Sequence, residues 1–122
     1  MIEAKLLVDK FIDQIVIIAD QRKFVSALII PEYKLLEEYA REHGIQFAGR
    51  EDLCGNALIH KMIMERIETL QQQLAHYEQI KRFTLLPNPF TMESGELTNT
   101  LKMRRKVINE HYKKEIEAMY AE

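Results

Sequence analysis

One lysine behind a glycine-led polar loop has the residue types of a reactive site. The run Gly95-Glu96-Leu97-Thr98-Asn99-Thr100-Leu101-Lys102 sets a flexible residue and three hydroxyl or amide side chains ahead of Lys102, and Met103-Arg104-Arg105-Lys106 continue as a cationic, helix-prone segment. Lysine is a compact cation on a long stem, suited to meeting an anionic transition state across a cleft. Cations in the first turn of a helix oppose the macrodipole by about 0.3–1 kcal/mol each, so stability alone would favour Asp or Glu there. The segment from Thr91 to Thr100 is rich in small polar residues, as mobile active-site loops are. By residue type, Lys102 is either a catalytic ammonium or one member of a solvated charge run.

Other constellations are weaker. Lys102 to Lys106 could neutralise phosphates, but no second basic patch or interleaved aromatic platform accompanies it, and the net charge is −2. That balance excludes a global field drawing the chain to nucleic acid or anionic lipid. His43, His60, His76 and His111 lack the spacing of helical zinc ligands, so no metal site is expected. No glycine-rich phosphate loop is present. Cys54, between Leu53 and Gly55, reads as buried filler rather than a nucleophile. Met62, Met64, Met103 and Met119, with Tyr77, Tyr112 and Tyr120, fit core filling on helices better than a binding groove.

The 122 residues, 47% apolar and 30% charged, suit one soluble domain spanning 1–122. A single cysteine fits a reducing compartment. No apolar run approaches the ~20 residues that span a bilayer, and the start Met1-Ile2-Glu3-Ala4-Lys5 lacks a signal-peptide plan. A cytoplasmic protein is expected.

These elements must position Lys102. Residues 2–8 read as a short helix with Leu6 and Leu7 apolar and Lys5 and Asp9 outward. Gln14 to Ala19 and Phe24 to Ile30 are apolar, β-branched runs around the turn Asp20-Gln21-Arg22-Lys23, hence a hairpin with both faces covered. Pro31 suits the first turn of a helix carrying Leu35, Leu36 and Tyr39 and stopped at Gly44. Gly49 and Gly55 mark loops within 45–55. A long helix is expected over 56–79 from the stripe Ile63, Ile67, Leu70, Leu74 and Tyr77, with Gln71 off it. Lys81 to Leu86 reads as a third strand, Phe90 to Thr100 as a loop, and Met103 to Met119 as a last helix through Val107, Ile108, Tyr112 and Ile116. The fold class is α+β: a small three-stranded sheet, a hairpin plus one later strand, wrapped by helices.

Three stretches carry a family resemblance: Ile12 to Pro31 (Ile-Asp-Gln-Ile-Val-Ile-Ile-Ala-Asp-Gln-Arg-Lys-Phe-Val-Ser-Ala-Leu-Ile-Ile-Pro), Glu78 to Pro87 (Glu-Gln-Ile-Lys-Arg-Phe-Thr-Leu-Leu-Pro), and Phe90-Thr91 through Lys106. In order and spacing they resemble the C-terminal domain of AMP-forming acyl-CoA synthetases, in the long-chain-fatty-acid–CoA ligase branch. The likeness covers nearly the whole chain, with Gly95 to Lys106 its most specific element; the 56–79 helix resembles a helical insertion of that branch. It implies an ATP-dependent, two-step ligase: a fatty acid and ATP, with Mg2+, give acyl-adenylate and pyrophosphate, and CoA then displaces AMP. The small domain rotates against a large N-terminal adenylation domain between the steps. It also implies that Lys102 is the adenylation lysine, stabilising charge on the phosphoryl oxygens. Gly95, Thr98 and Thr100 are the loop candidates for cofactor contact. Thr100-Leu101 stand where many family members have Ser-Gly or Thr-Gly, which is the long-chain variant, and Asn99 stands where that variant usually has proline. A fragment is expected, inactive by itself, that lacks the hinge, phosphate loop, adenine pocket and acyl tunnel; the full-length protein is expected to be cytoplasmic or peripheral to a membrane. The alternative is a non-catalytic binding or regulatory module offering its basic edge to an acidic partner or RNA.

Overall fold

The computed structural model describes residues 2–19 and 22–121. Its elements run α1 (Ile2–Leu6), β1 (Ile12–Ile18), β2 (Val25–Pro31), α2 (Tyr33–Glu42), α3 (Arg50–Cys54), α4 (Ala57–Leu70), a 3-10 turn (His76–Glu78), β3 (Ile80–Leu85), α5 (Arg105–His111) and α6 (Lys113–Tyr120). This is the expected α+β class, a mixed three-stranded sheet in the order β1-β2-β3. β1 and β2 pair antiparallel, with Ile15 opposite Ile29 and Ile17 opposite Ala27. β3 runs parallel to β2, with Ala27 opposite Phe83 and Ile29 opposite Leu85. A parallel return needs a long crossover, and α2, α3 and α4 supply it. Of the expected turn between the hairpin strands, Asp20 and Gln21 lie outside the described residues.

All seven residues of β2 are buried, so helices cover both faces of the sheet. Phe83, on the Ala27 face, stacks on His60 of α4 at 4.1 Å between ring centroids. On the other face Ser26 Oγ meets Tyr120 Oη of α6 at 2.8 Å. The same hydroxyl donates to the Phe24 carbonyl at 2.7 Å, and the Arg82 guanidinium donates to the Met119 carbonyl at 2.7 Å, closing the C-terminal end of α6. Tyr120 is a bolt between the last helix and the hairpin.

Several boundaries differ from expectation for identifiable reasons. Pro31 ends β2 opposite Ile12 rather than opening the helix; lacking an N–H, it sits where the strand needs no donor. Glu32 then caps α2, accepting the Lys34 N–H at 3.4 Å, and Gly44 closes the helix at φ +68°. A helical turn, α3, forms between Gly49 and Gly55 inside the expected loop. Asp9 does not point outward: it is buried and clasped by Arg66 Nε of α4 at 2.6 and 3.0 Å.

The largest departure concerns α4. Asn56 caps it as its residue type suggests, accepting the Leu58 and Ile59 N–H groups at 2.9 and 3.1 Å. Ile59, Ile63 and Ile67 are buried, but the helix ends at Leu70 rather than continuing to 79, and Tyr77 is 80% exposed. Gln71 is the cause. Its side chain turns under the helix end, where Oε1 accepts the Ile80 N–H at 2.8 Å and Nε2 donates to the Ile80 carbonyl at 3.1 Å. A primary amide thereby stands in for a strand at the start of β3. The last helix is likewise divided at Tyr112, although hydrogen bonds from Tyr112 N to Ile108 O and from Ile116 N to Tyr112 O, both 2.9 Å, carry the ladder across.

Gln71→Ala should destabilise the chain by about 1–3 kcal/mol, because buried backbone groups of Ile80 lose their partner; urea unfolding checks this, and a change below a few tenths would refute the role. Burial, then Glu32, holds the Asp13 carboxyl above its usual range. Its folded-state pKa therefore exceeds its unfolded one, and ionisation destabilises the fold. Asp13→Asn should raise Tm at neutral pH, and the gain should vanish as pH falls below the ordinary carboxylate range.

Candidate functional site

The loop after β3 leaves the sheet under a glutamine clamp. Gln14 Oε1 accepts the Phe90 N–H at 2.8 Å and Gln14 Nε2 donates to the Phe90 carbonyl at 3.2 Å, so this amide extends the outer edge of β1. Thr91 and Ser94 then close a turn, with the Ser94 N–H on Thr91 Oγ1 at 3.1 Å and Ser94 Oγ lying 2.9 Å from the Thr91 carbonyl. Gly95 takes φ +81°, a left-handed conformation open to glycine.

From Glu96 to Arg104 the chain forms a small hairpin. The Arg104 N–H donates to the Glu96 carbonyl at 2.8 Å, Leu97 bridges Met103, and the Thr98 N–H donates to the Lys102 carbonyl at 2.8 Å. The Leu101 N–H closes the tip on the Thr98 carbonyl at 2.9 Å. A three-residue hairpin loop of this kind needs its last residue in the left-handed region, a glycine position. Here that residue is Leu101, at φ +63° and 65% exposed. The backbone at 101 thus takes a conformation that glycine adopts most readily.

Lys102 follows directly. Its backbone is held twice, by the carbonyl bond just described and by its N–H on Thr98 Oγ1 at 3.1 Å; Thr98 Oγ1 also meets Thr100 Oγ1 at 3.0 Å. The side chain is exposed, and among the described residues nothing pairs with its ammonium. The stem is rooted and the charge is free. Of the loop candidates, Thr98 and Thr100 lie at the hairpin tip beside Lys102, whereas Gly95 lies at its base. The expected helix begins at Arg105 because Lys102 to Arg104 are spent on the returning arm.

Arg105, just past the hairpin, is one of three cations on a neighbouring cleft. Arg105 reaches back to the Ile17 carbonyl of β1 at 3.3 Å, and Arg22 pairs with Glu117 at 3.0 Å. With Asn109 and Lys113 they line a cleft of about 290 Å³ between β1 and the last two helices. Burial pushes the Cys54 thiol up, away from the thiolate a nucleophile needs; its sulfur lies 2.9 Å from Tyr33 Oη, which donates to the Leu86 carbonyl at 2.6 Å. His43 stacks on Tyr39 at 4.0 Å, His60 is packed as described, and His76 Nε2 lies 3.2 Å from Lys81 Nζ. Among the described residues no group of three or more His, Cys, Asp or Glu could hold a metal ion, and no helix is long and apolar enough to cross a membrane.

Sequence reading missed the residues that hold the hairpin to the domain. Glu96 is only 3% exposed and faces His111 Nδ1 at 2.9 Å. The two stand fifteen positions apart across a loop, beyond any helical or strand period. Gln14 looked like one polar residue in a strand.

The left-handed tip yields a stability prediction. Leu101→Val should lower stability by about 1 kcal/mol or more relative to Leu101→Gly, because a β-branched residue is least tolerant of positive φ. Equal midpoints for the two variants in thermal unfolding would contradict this.

Comparison with known proteins bears on the family and the fold. The chain is 31% identical to long-chain-fatty-acid–CoA ligase FadD15 of Mycobacterium tuberculosis over 122 residues, covering 98% of this chain and 20% of that protein. It is 32% identical to human long-chain-fatty-acid–CoA ligase 6 over 111 residues, covering 88% and 16% respectively. The chain therefore spans 14% to 20% of the length of the curated relatives it matches. Among solved structures, the adenylation domain of a carboxylate reductase from Mycobacterium chelonae superposes with a TM-score of 0.79 at 26% identity, over 99% of this chain and 17% of that one. The A-PCP didomain of the carboxylic acid reductase from Segniliparus rugosus, in complex with AMP, shares the fold at a TM-score of 0.77 and 23% identity, over 98% and 15%. Residues 1–122 match the family described as AMP-binding enzyme C-terminal domain, and the chain belongs to that family.

Proposed function

We propose that this chain is the C-terminal lid of an AMP-forming long-chain-fatty-acid–CoA ligase and that Lys102 is its adenylation residue. The observation that carries the reading is the hairpin: it fixes the Lys102 backbone at two hydrogen bonds and, among the described residues, leaves the ammonium unpaired. An ammonium held this way costs little to reorient when it meets an anion. In the reaction so assigned, a carboxylate attacks the α-phosphate of ATP, the bond to pyrophosphate breaks, and negative charge grows on the phosphoryl oxygens. Lys102 stabilises that charge. CoA thiol then attacks the acyl carbonyl and AMP leaves.

ATP, CoA and the fatty acid belong to the adenylation domain that the lid closes against, and Mg2+ enters with ATP as part of the substrate. The curated relatives named above are ligases for long-chain fatty acids, and a solved neighbour holds AMP. Both support the substrate class. Thr98 and Thr100, beside Lys102 at the hairpin tip, are the lid residues assigned to nucleotide contact, while Gly95 gives the hairpin its entry turn. The whole protein is assigned to the cytoplasm or to the surface of a membrane.

In the full-length protein, Lys102→Ala should lower acyl-adenylate formation by about 10²-fold or more. Thioester formation from supplied acyl-adenylate should stay within a few-fold of wild type. Pyrophosphate exchange reads the first step and thioester release the second. Equal loss in both, or loss in neither, would overturn the assignment.

A further inference from the structure

Glutamate is among the residues least often buried without a partner, yet Glu96 is almost wholly shielded from water. Every polar group of this residue is engaged. Oε1 accepts from Ser94 Oγ at 2.8 Å, and Oε2 faces His111 Nδ1 at 2.9 Å. Its N–H donates to the Thr91 carbonyl at 3.2 Å, and its carbonyl accepts the Arg104 N–H at 2.8 Å. One residue thus joins the entry turn, the returning arm of the Lys102 hairpin and the last turn of α5.

A two-stranded hairpin is marginal by itself. This one has a single bridge, Leu97 to Met103, and those two side chains pack partly buried on the core. Apolar contact holds the hairpin down but is non-directional. The Glu96–His111 contact is directional, and it lies at the base from which the arm projects. Tyr112, next in the chain, has its hydroxyl pushed up by burial first and then by Glu96 and Glu115, so the carboxylate charge is felt inside this junction. Desolvating a carboxylate costs several kcal/mol unless its partners offset it, which makes this an unfavourable place for a glutamate with no directional task.

We propose that Glu96, clamped by Ser94 and His111, is the positioning residue that sets the angle of the Lys102 hairpin, an inference that rests on the adenylation reading of Lys102. Glu96 touches no substrate. It acts by holding the base of the arm, and a tip displaced by about 1 Å can lose about 100-fold in rate.

The test uses the full-length protein with Glu96→Ala, His111→Ala and Glu96→Gln. Amide exchange at Thr98 and Arg104, whose N–H groups close the hairpin, should accelerate about tenfold or more in Glu96→Ala while β2 amides stay protected, as local opening requires. Acyl-adenylate formation should fall about 10–100-fold with thioester formation nearly unchanged. His111→Ala should reproduce part of both effects. Glu96→Gln, which keeps the Ser94 hydrogen bond, should recover part of each and serves if the alanine variant does not fold. Unchanged exchange at Thr98 and Arg104 would overturn the clamp. Equal loss of both half-reactions would reduce Glu96 to general structural support and overturn the positioning role. If Lys102→Ala leaves adenylation intact, the reading of Lys102 fails instead, and the exchange data still report whether Glu96 holds the hairpin.

Discussion

The constraint on which the rest depends is that β2 has no surface open to water. Its seven residues are buried and both of its edges are paired, antiparallel to β1 and parallel to β3. The antiparallel neighbour is the strand adjacent in the chain. The parallel one forces the chain to travel the length of the sheet and return, and α2, α3 and α4 are the consequence. The face carrying Ala27 and Phe83 requires α4, and the face carrying Ser26 requires α6. The segment after β3 then crosses to β1, where Gln14 meets Phe90, and continues to the hairpin bearing Lys102.

Three strands leave two edges, and exposed edges are a liability. The protein blunts them with side chains. Gln71 pairs with Ile80 at the start of β3, Gln14 pairs with Phe90 beside β1, and the Arg105 guanidinium covers the Ile17 carbonyl. Each is a polar group standing where a backbone would stand in a wider sheet. Among the described residues no buried side-chain nitrogen or oxygen lacks a hydrogen-bond partner, which fits so small a core retaining Asp9, Gln71 and Glu96.

Local pattern made the strands, the helix start at Asn56, the Gly44 stop and the covered sheet legible in the sequence, because each depends on neighbours within a few positions. The stripe Ile63, Ile67 and Leu70 also read correctly. It misled beyond Leu70, since Leu74 and Tyr77 continue the spacing while Gln71 ends the helix through a contact with β3 that no period encodes. Asp9 failed in the same way, its partner Arg66 lying on another element. At the site, Lys102 could be singled out by residue type and motif, but the left-handed Leu101 and the Glu96–His111 contact arise from closure of the loop. The departure from glycine at 101 was visible as a letter; its meaning needed the φ angle.

The arm bearing Lys102 is tied at both ends to a single strand. Gln14 grips its entry at Phe90, and Arg105, just past its exit, grips Ile17; the two β1 residues stand three apart, roughly 10 Å along the strand at about 3.3 Å per residue. A lever pinned at two points on one bar is carried with that bar. The lysine's reach then depends on where β1 is carried as well as on how its own hairpin is held.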